Sequence, residues 1–127
     1  MPRRIGETHT MTLREKQSRF VYLVGQLIIH ATDLGYELTV GEAYRSPTEA
    51  ARLAKLGLGI INTLHAQRLA IDLNLFKAGV YLDQSADYLV LGEWWEAQST
   101  PIYTCTWGGR FRRADGNHFS LLHEGRK

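Results

Sequence analysis

The stretch from Arg68 to Phe76, RLAIDLNLF, constrains the fold more than any other part of the chain. Leu69, Ile71, Leu73 and Leu75 alternate with Arg68, Ala70, Asp72 and Asn74. Period two marks a β-strand with one apolar face and one mostly polar face. A carboxylate in the middle of such a strand is costly unless it is paired or ligated. Asp72 therefore demands partners, and other segments must supply both those partners and the rest of a sheet.

Thr12 and Glu15 form a capping-box pattern, and behind them Phe20, Leu23, Val24, Leu27, Ile28, Ala31 and Leu34 recur at three and four. That spacing predicts an amphipathic helix over 12–34, ended by Gly35. YELTVGEAY reads as a short strand interrupted by Gly41. Ser46-Pro47-Thr48-Glu49 starts a second helix, with Ser46 as cap, Pro47 at the first helical position and Glu49 closing the box, and it stops near Gly57. LGLGIINT is a loop, KAGVY a turn with a return strand, and 85–98 a third helix capped by Ser85. The segment from TWGG to HFSLL is a loop feeding a last strand. Helices interleaved with a small antiparallel sheet make an α+β fold, and 127 residues without repeats or a linker fit one domain.

Cys105 is the sole cysteine, so an intrachain disulfide and a multi-cysteine zinc site are both excluded. Any metal must be held mainly by histidine and carboxylate. With 15 basic and 13 acidic residues, the net charge of +2 is too even to argue for nucleic acid, and the Arg110, Arg112 and Arg113 cluster reads as a solvated loop. FVYLVGQLII is too short to span a bilayer, and the N-terminal MPRRIGETHTMTLREKQ has no apolar run behind its arginines, so it is not a secretory signal. These features predict no membrane insertion and a cytoplasmic protein on synthesis.

Five histidines are available. His30 reads as a core-edge residue of the long helix. His9, near Glu7, and His123, near Glu124, lie on chain ends expected to be too mobile to build a site. His65 instead precedes Asp72 by seven residues. With a second histidine from another strand, His118, it would complete a His, Asp, His set that leaves a fourth zinc position for water. Zinc lowers the pKa of such a water to ~7. A base must still take its proton. In ADGNHFS, Asp115 lies three residues before His118, where a tight turn would set its carboxylate beside the metal without ligating it. Spacing alone leaves a rival reading open, with Asp72 paired to Arg68 or Arg45 and Asp115 serving as an Asx-turn residue.

Three motifs together are more specific. TLHAQRLAID, that is Thr63-Leu64-His65-Ala66-Gln67-Arg68-Leu69-Ala70-Ile71-Asp72, resembles the [S/T]-x-H-x-x-G-x-A-x-D motif of the zinc D,D-carboxypeptidase and L-alanyl-D-glutamate endopeptidase family. Trp107-Gly108-Gly109 followed by Asp115-Gly116-Asn117-His118-Phe119 resembles its W-G-G and [D/E]-x-x-H-F, and Ala43-Tyr44-Arg45-Ser46 its G-Y-R-[S/T]. The motifs stand in the family's order over roughly residues 40–120. The resemblance implies a Hedgehog/D-Ala-D-Ala peptidase-like fold with a Zn²⁺ ion held by His65, Asp72 and His118. It implies Asp115 as general base and proton donor, and Arg45 as the holder of the substrate carbonyl or oxyanion. Two departures are Ala43 and Arg68, each where the family has glycine, and Arg68 reads as an exposed strand residue. The H-x-x-R form and an aspartate base resemble the short phage lysis enzymes of the family.

The expected partner is bacterial peptidoglycan, cut between L-alanine and D-glutamate by a monomer without a wall-binding module. Such an enzyme reaches the wall through a separately encoded pore. A D-alanyl-D-alanine carboxypeptidase is the nearest alternative. A non-catalytic zinc-containing binding module is a further one, although it would need neither Asp115 nor Arg45. Cys105 as nucleophile is disfavoured by its β-like YTCTW setting, where a half-buried strand residue is expected. Trp94 and Trp95 read as packing, Trp107 as a support beneath the site, and Thr63 either as a substrate contact or as a hydroxyl satisfying its own backbone.

Overall fold

The computed structural model describes residues 10–127; His9, Glu7 and most of the basic N-terminal segment lie outside them. Helix α1 (Leu13–Asp33) begins with the full capping box, in which Thr12 and Glu15 each accept the other's backbone N–H. Its apolar stripe, Phe20, Leu23, Val24, Leu27 and Ala31, is buried. Strand β1 (Glu37–Val40) is shorter than YELTVGEAY suggests. Beyond it the backbone keeps contact with the next strand only through Gly41 and Glu42, which bond Asp72.

Helix α2 (Pro47–Lys55) is capped by Ser46, which accepts the Glu49 N–H. The box is only half made, because the Glu49 carboxylate turns to Arg52 in a two-pronged ion pair. Strand β2 (Ala70–Lys77) buries Ile71, Leu73 and Leu75 and leaves Asp72, Asn74 and Phe76 partly exposed, as its alternation requires. It returns through a two-residue turn, Ala78 (φ 49°) and Gly79 (φ 77°), into β3 (Val80–Leu82). Positive φ at both positions suits the right-handed twist of the hairpin.

The third helix divides into a 3₁₀ turn, Ser85–Tyr88, and α3 (Leu89–Ala97). Gln84 rather than Ser85 occupies the cap position. Strands β4 (Cys105–Trp107) and β5 (His118–Leu121) complete the sheet in the order β1-β2-β5-β4, with β3 beside β2 and every pair antiparallel. Part of the expected loop before the last strand is thus itself a strand, and Cys105 is not half-buried but 3% exposed.

Helices α1 and α3 pack on one sheet face. Trp95, with no exposed surface, meets Phe20 and Phe119 edge-on at 5.9 Å each. Its indole N–H is donated to Thr106 and Ser120 carbonyls, pinning α3 across the β4–β5 pair. His30 stacks on Trp94 at the core edge. The C-terminal segment is not frayed: His123 bridges to Arg126, and Lys16 of α1 bonds the His123 ring and the Leu122 carbonyl. The other sheet face, carrying Asp72 and Asn74, is left for the site. No helix among the described residues is long and apolar enough to cross a membrane.

Candidate metal centre

Asp72 of β2 lies directly opposite His118 of β5 in the antiparallel register. His65 arrives from a 3₁₀ turn, Leu64–Gln67, that feeds β2 and is capped by the Thr63 hydroxyl accepting the His65 N–H. The structure thus brings His65, Asp72 and His118 together, with one ligand atom from each lying within 4.8 Å of the others. Asp72 Oδ1 is 3.4 Å from His65 Nε2 and 3.4 Å from His118 Nδ1. That oxygen is buried and makes no hydrogen bond among the described residues.

A buried carboxylate oxygen without a donor is expensive. Two imidazole nitrogens and one carboxylate oxygen converging on a common point fit a zinc ion, whose ordinary ligands are these. The second nitrogens are treated differently. His65 Nδ1 is 3.0 Å from the Ala43 carbonyl, which can only accept, so Nδ1 carries the proton and Nε2 is left free to ligate. His118 Nε2 is buried without a partner among the described residues, and that ring is held by packing against Phe111 and His65.

Burial alone would raise the Asp72 carboxyl, but the two imidazoles outweigh it and hold its pKa at about 2. Burial pulls the His65 imidazole down, and contact with Asp72 and the Ala43 carbonyl more than reverses this, leaving it raised. Asp115 shows the opposite carboxylate behaviour. Burial and then repulsion from Asp72 push it up. Its carboxylate accepts no hydrogen bond among the described residues, so it is not an Asx-turn residue; the turn is closed by the backbone, His118 N–H to Asp115 carbonyl.

Arg45 is tied to the His65 turn through its backbone. Its backbone N–H bonds the His65 carbonyl, and its guanidinium makes a two-pronged pair with Glu42. Hydrogen bonding to Glu42 raises its pKa, opposed by burial and supported by the Glu42 and Asp72 charges. Glu42 was not singled out by the sequence motifs; its three-residue spacing from Arg45 was the available signal. Neither Arg45 nor Arg68 ion-pairs with Asp72, which removes the rival reading of that carboxylate. Arg68 is not on the strand. It caps the His65 turn in a left-handed conformation (φ 56°), with its guanidinium 4.1 Å from the centre of the Tyr44 ring. A glycine would adopt that φ without strain, which explains the departure point in the motif physically.

The sheet order and the flanking helices have a counterpart among solved structures. The fold is shared with an L-Ala D-Glu endopeptidase. That protein, ChiX of Serratia marcescens, superposes with a TM-score of 0.65 over 91% of each chain, at 20% sequence identity. No family model matches the chain, and no curated protein matches it. The likeness to ChiX establishes the α+β architecture, and the site must be argued from its own residues.

Cys105 offers no competing chemistry. Burial pushes its thiol up to about 12, so it is not a thiolate near neutral pH. Asp115 also lines a polar cleft of about 260 Å³ with Tyr81, Asp83, Ser85 and Asn117 among others, none of them a member of the triad. No lysine or arginine lines it.

Proposed function

We propose that this protein is a zinc-dependent peptidase that hydrolyses peptidoglycan stem peptides at the L-alanyl-D-glutamate bond. The observation that carries the reading is the buried, donor-free Asp72 oxygen flanked by two imidazole nitrogens at 3.4 Å. In this reading His65, Asp72 and His118 hold the ion, which when bound supplies Lewis-acid polarisation and a more acidic attacking water.

Asp115 would take a proton from the attacking water and later return it to the leaving amine. Its raised pKa suits both halves of this task, since a more basic carboxylate accepts a proton more readily. Arg45, kept cationic by Glu42, supplies fixed positive charge for the oxygen that becomes negative during attack. Internal cleavage is favoured over carboxypeptidase action because the polar cleft beside Asp115 has no lysine or arginine among its described lining residues to capture a terminal carboxylate. The motif forms around Arg68 and Asp115 favour a phage lysis enzyme.

Mass spectrometry of peptidoglycan digested with and without chelator tests the reading. New L-alanine C-termini and D-glutamate N-termini, lost on chelation and restored by zinc, are the expected result. Release of free D-alanine would move the assignment to a carboxypeptidase. No cleavage by folded, zinc-loaded protein would sink it and favour a binding module.

A further inference from the structure

Asp115 carries an exposed side chain on a backbone with no freedom to spare. Its N–H bonds the Gly108 carbonyl at 2.9 Å, and its carbonyl accepts the His118 N–H at 3.1 Å. The next residue, Gly116, is held by side chains instead. Its carbonyl accepts the Trp107 indole N–H at 2.7 Å, and its N–H is donated to Ser85 Oγ at 2.9 Å. All four polar backbone groups of the Asp115–Gly116 unit are therefore engaged.

Ser85 is the one remote element in this set. It opens the 3₁₀ turn leading into α3, 31 positions from Gly116, and is not the helix cap. The approach is close enough that a Cβ on Gly116 would stand 2.5 Å from the Ser85 Cα. Helix α3 braces the same loop twice more. A Cβ on Gly92 would strike the Trp107 ring at 2.1 Å, so the indole lies directly on the helix backbone. Glu96 pairs with Arg110, which is thereby not simply solvated.

We infer that Ser85 is a positioning residue for the proposed hydrolysis, setting the place of the Asp115 carboxylate through the Gly116 amide. The inference rests on the assignment of Asp115 as base. It touches none of the three proposed metal ligands. Misplacement of a reacting group by about 1 Å costs as much as 10²-fold in rate, so the effect belongs in turnover rather than in metal retention.

The test is steady-state kinetics of zinc-loaded Ser85→Ala, Ser85→Thr and Asp115→Asn, singly and with Ser85→Ala combined with Asp115→Asn, on a soluble L-Ala-γ-D-Glu stem peptide. Ser85→Ala is expected to lower kcat by about 10- to 100-fold, with KM and zinc stoichiometry unchanged. Ser85→Thr, which keeps the accepting oxygen, should restore most of kcat. In the Asp115→Asn background Ser85→Ala should have little further effect, because coupled residues are not additive. Wild-type kcat in Ser85→Ala, or an equal loss in both backgrounds, overturns the inference. Full activity in Asp115→Asn would instead overturn the assignment of the base. Amide exchange on the unaltered protein decides independently of any variant. The Gly116 N–H should be protected relative to those of Arg112 and Arg113, and exchange at their rate would refute the positioning role.

Discussion

His65, Asp72 and His118 are held by a strand pair and the turn that feeds it, whereas Asp115 rides on a loop braced from the α3 side. The first region is fixed by backbone register. Asp72 and His118 face each other because β2 and β5 pair as they do, with Ile71 and Phe119 filling the core beneath. The second is fixed by backbone bonds of Asp115 to Gly108 and His118 and by two side chains reaching to one glycine. A site divided this way separates metal retention from proton transfer. Damage to the loop should leave the ion in place, and damage to the triad should remove both.

The largest effect that sharpens this contrast comes from the triad itself. His118→Ala is expected to lose zinc and to lower turnover on the order of 10³-fold or more, the scale of several kcal/mol of transition-state stabilisation. Asp115→Ala should lower turnover by about 10²–10⁴-fold while zinc content, read by elemental mass spectrometry, stays at the wild-type value. Equal zinc loss in both variants would break the separation.

Stability against pH probes the triad without its ion. The Asp72 pKa falls from 3.8 to about 2 on folding, so its contribution is present above pH 3.8 and is lost as pH falls through about 2. The His65 pKa is raised from 6.5, so its contribution is present below pH 6.5 and is lost as pH rises through the raised value. The Asp72 shift, to which both His118 and His65 contribute, corresponds to about 2 kcal/mol and already contains the Asp72–His65 contact, which is therefore counted once. Asp115, with its raised pKa, works in the opposite direction above pH 3.8. In metal-stripped protein the Asp72–imidazole contact should therefore contribute most between pH 3.8 and 6.5 in denaturant melts, offset below pH 6.5 by His123, whose pKa is held down by burial and then by Lys16, and zinc should move the optimum upward because ligands must shed protons to bind. An Asp72→Asn variant with the wild-type pH dependence would contradict the pairing.

The smallest effect concerns the turn that delivers His65. Arg68→Gly relieves a left-handed backbone but gives up the stack on Tyr44 and loosens the unfolded chain. These terms, each about 0.5–2 kcal/mol, should leave the denaturation midpoint within about 1 kcal/mol of wild type. A larger loss would mean that the Arg68–Tyr44 contact anchors the His65 turn.

The features legible in the sequence were those written in short-range patterns. Thr12 with Glu15, Ser46 with Pro47, and the alternation through Asp72 each act within a few residues, and each is found as expected. The arrangement of His65, Asp72 and His118 follows the motifs because both flanking segments keep the predicted strand or turn character. What escaped reading depends on distant partners. Glu49 turns to Arg52 rather than closing its box, and Ser85 serves Gly116 rather than its own helix. Cys105 is buried because β4 pairs with β5, and His123 is tied down by a lysine on α1. No local composition announces such contacts, since each is chosen by the packed fold.

The Asp72–His118 pairing across β2 and β5 also bears on how the protein is made. No contiguous fragment of the chain holds the three ligands until the last strand, His118–Leu121, has been added. Synthesis from the N-terminus would deliver His65 and Asp72 early, as a histidine and a carboxylate without their third member. The ion would be captured with full coordination only after a strand 46 positions downstream of Asp72 had docked in its one correct alignment. In the proposed reading, metal uptake would thus wait for completion of the chain, and a nascent or truncated product lacking β5 would lack the third ligand.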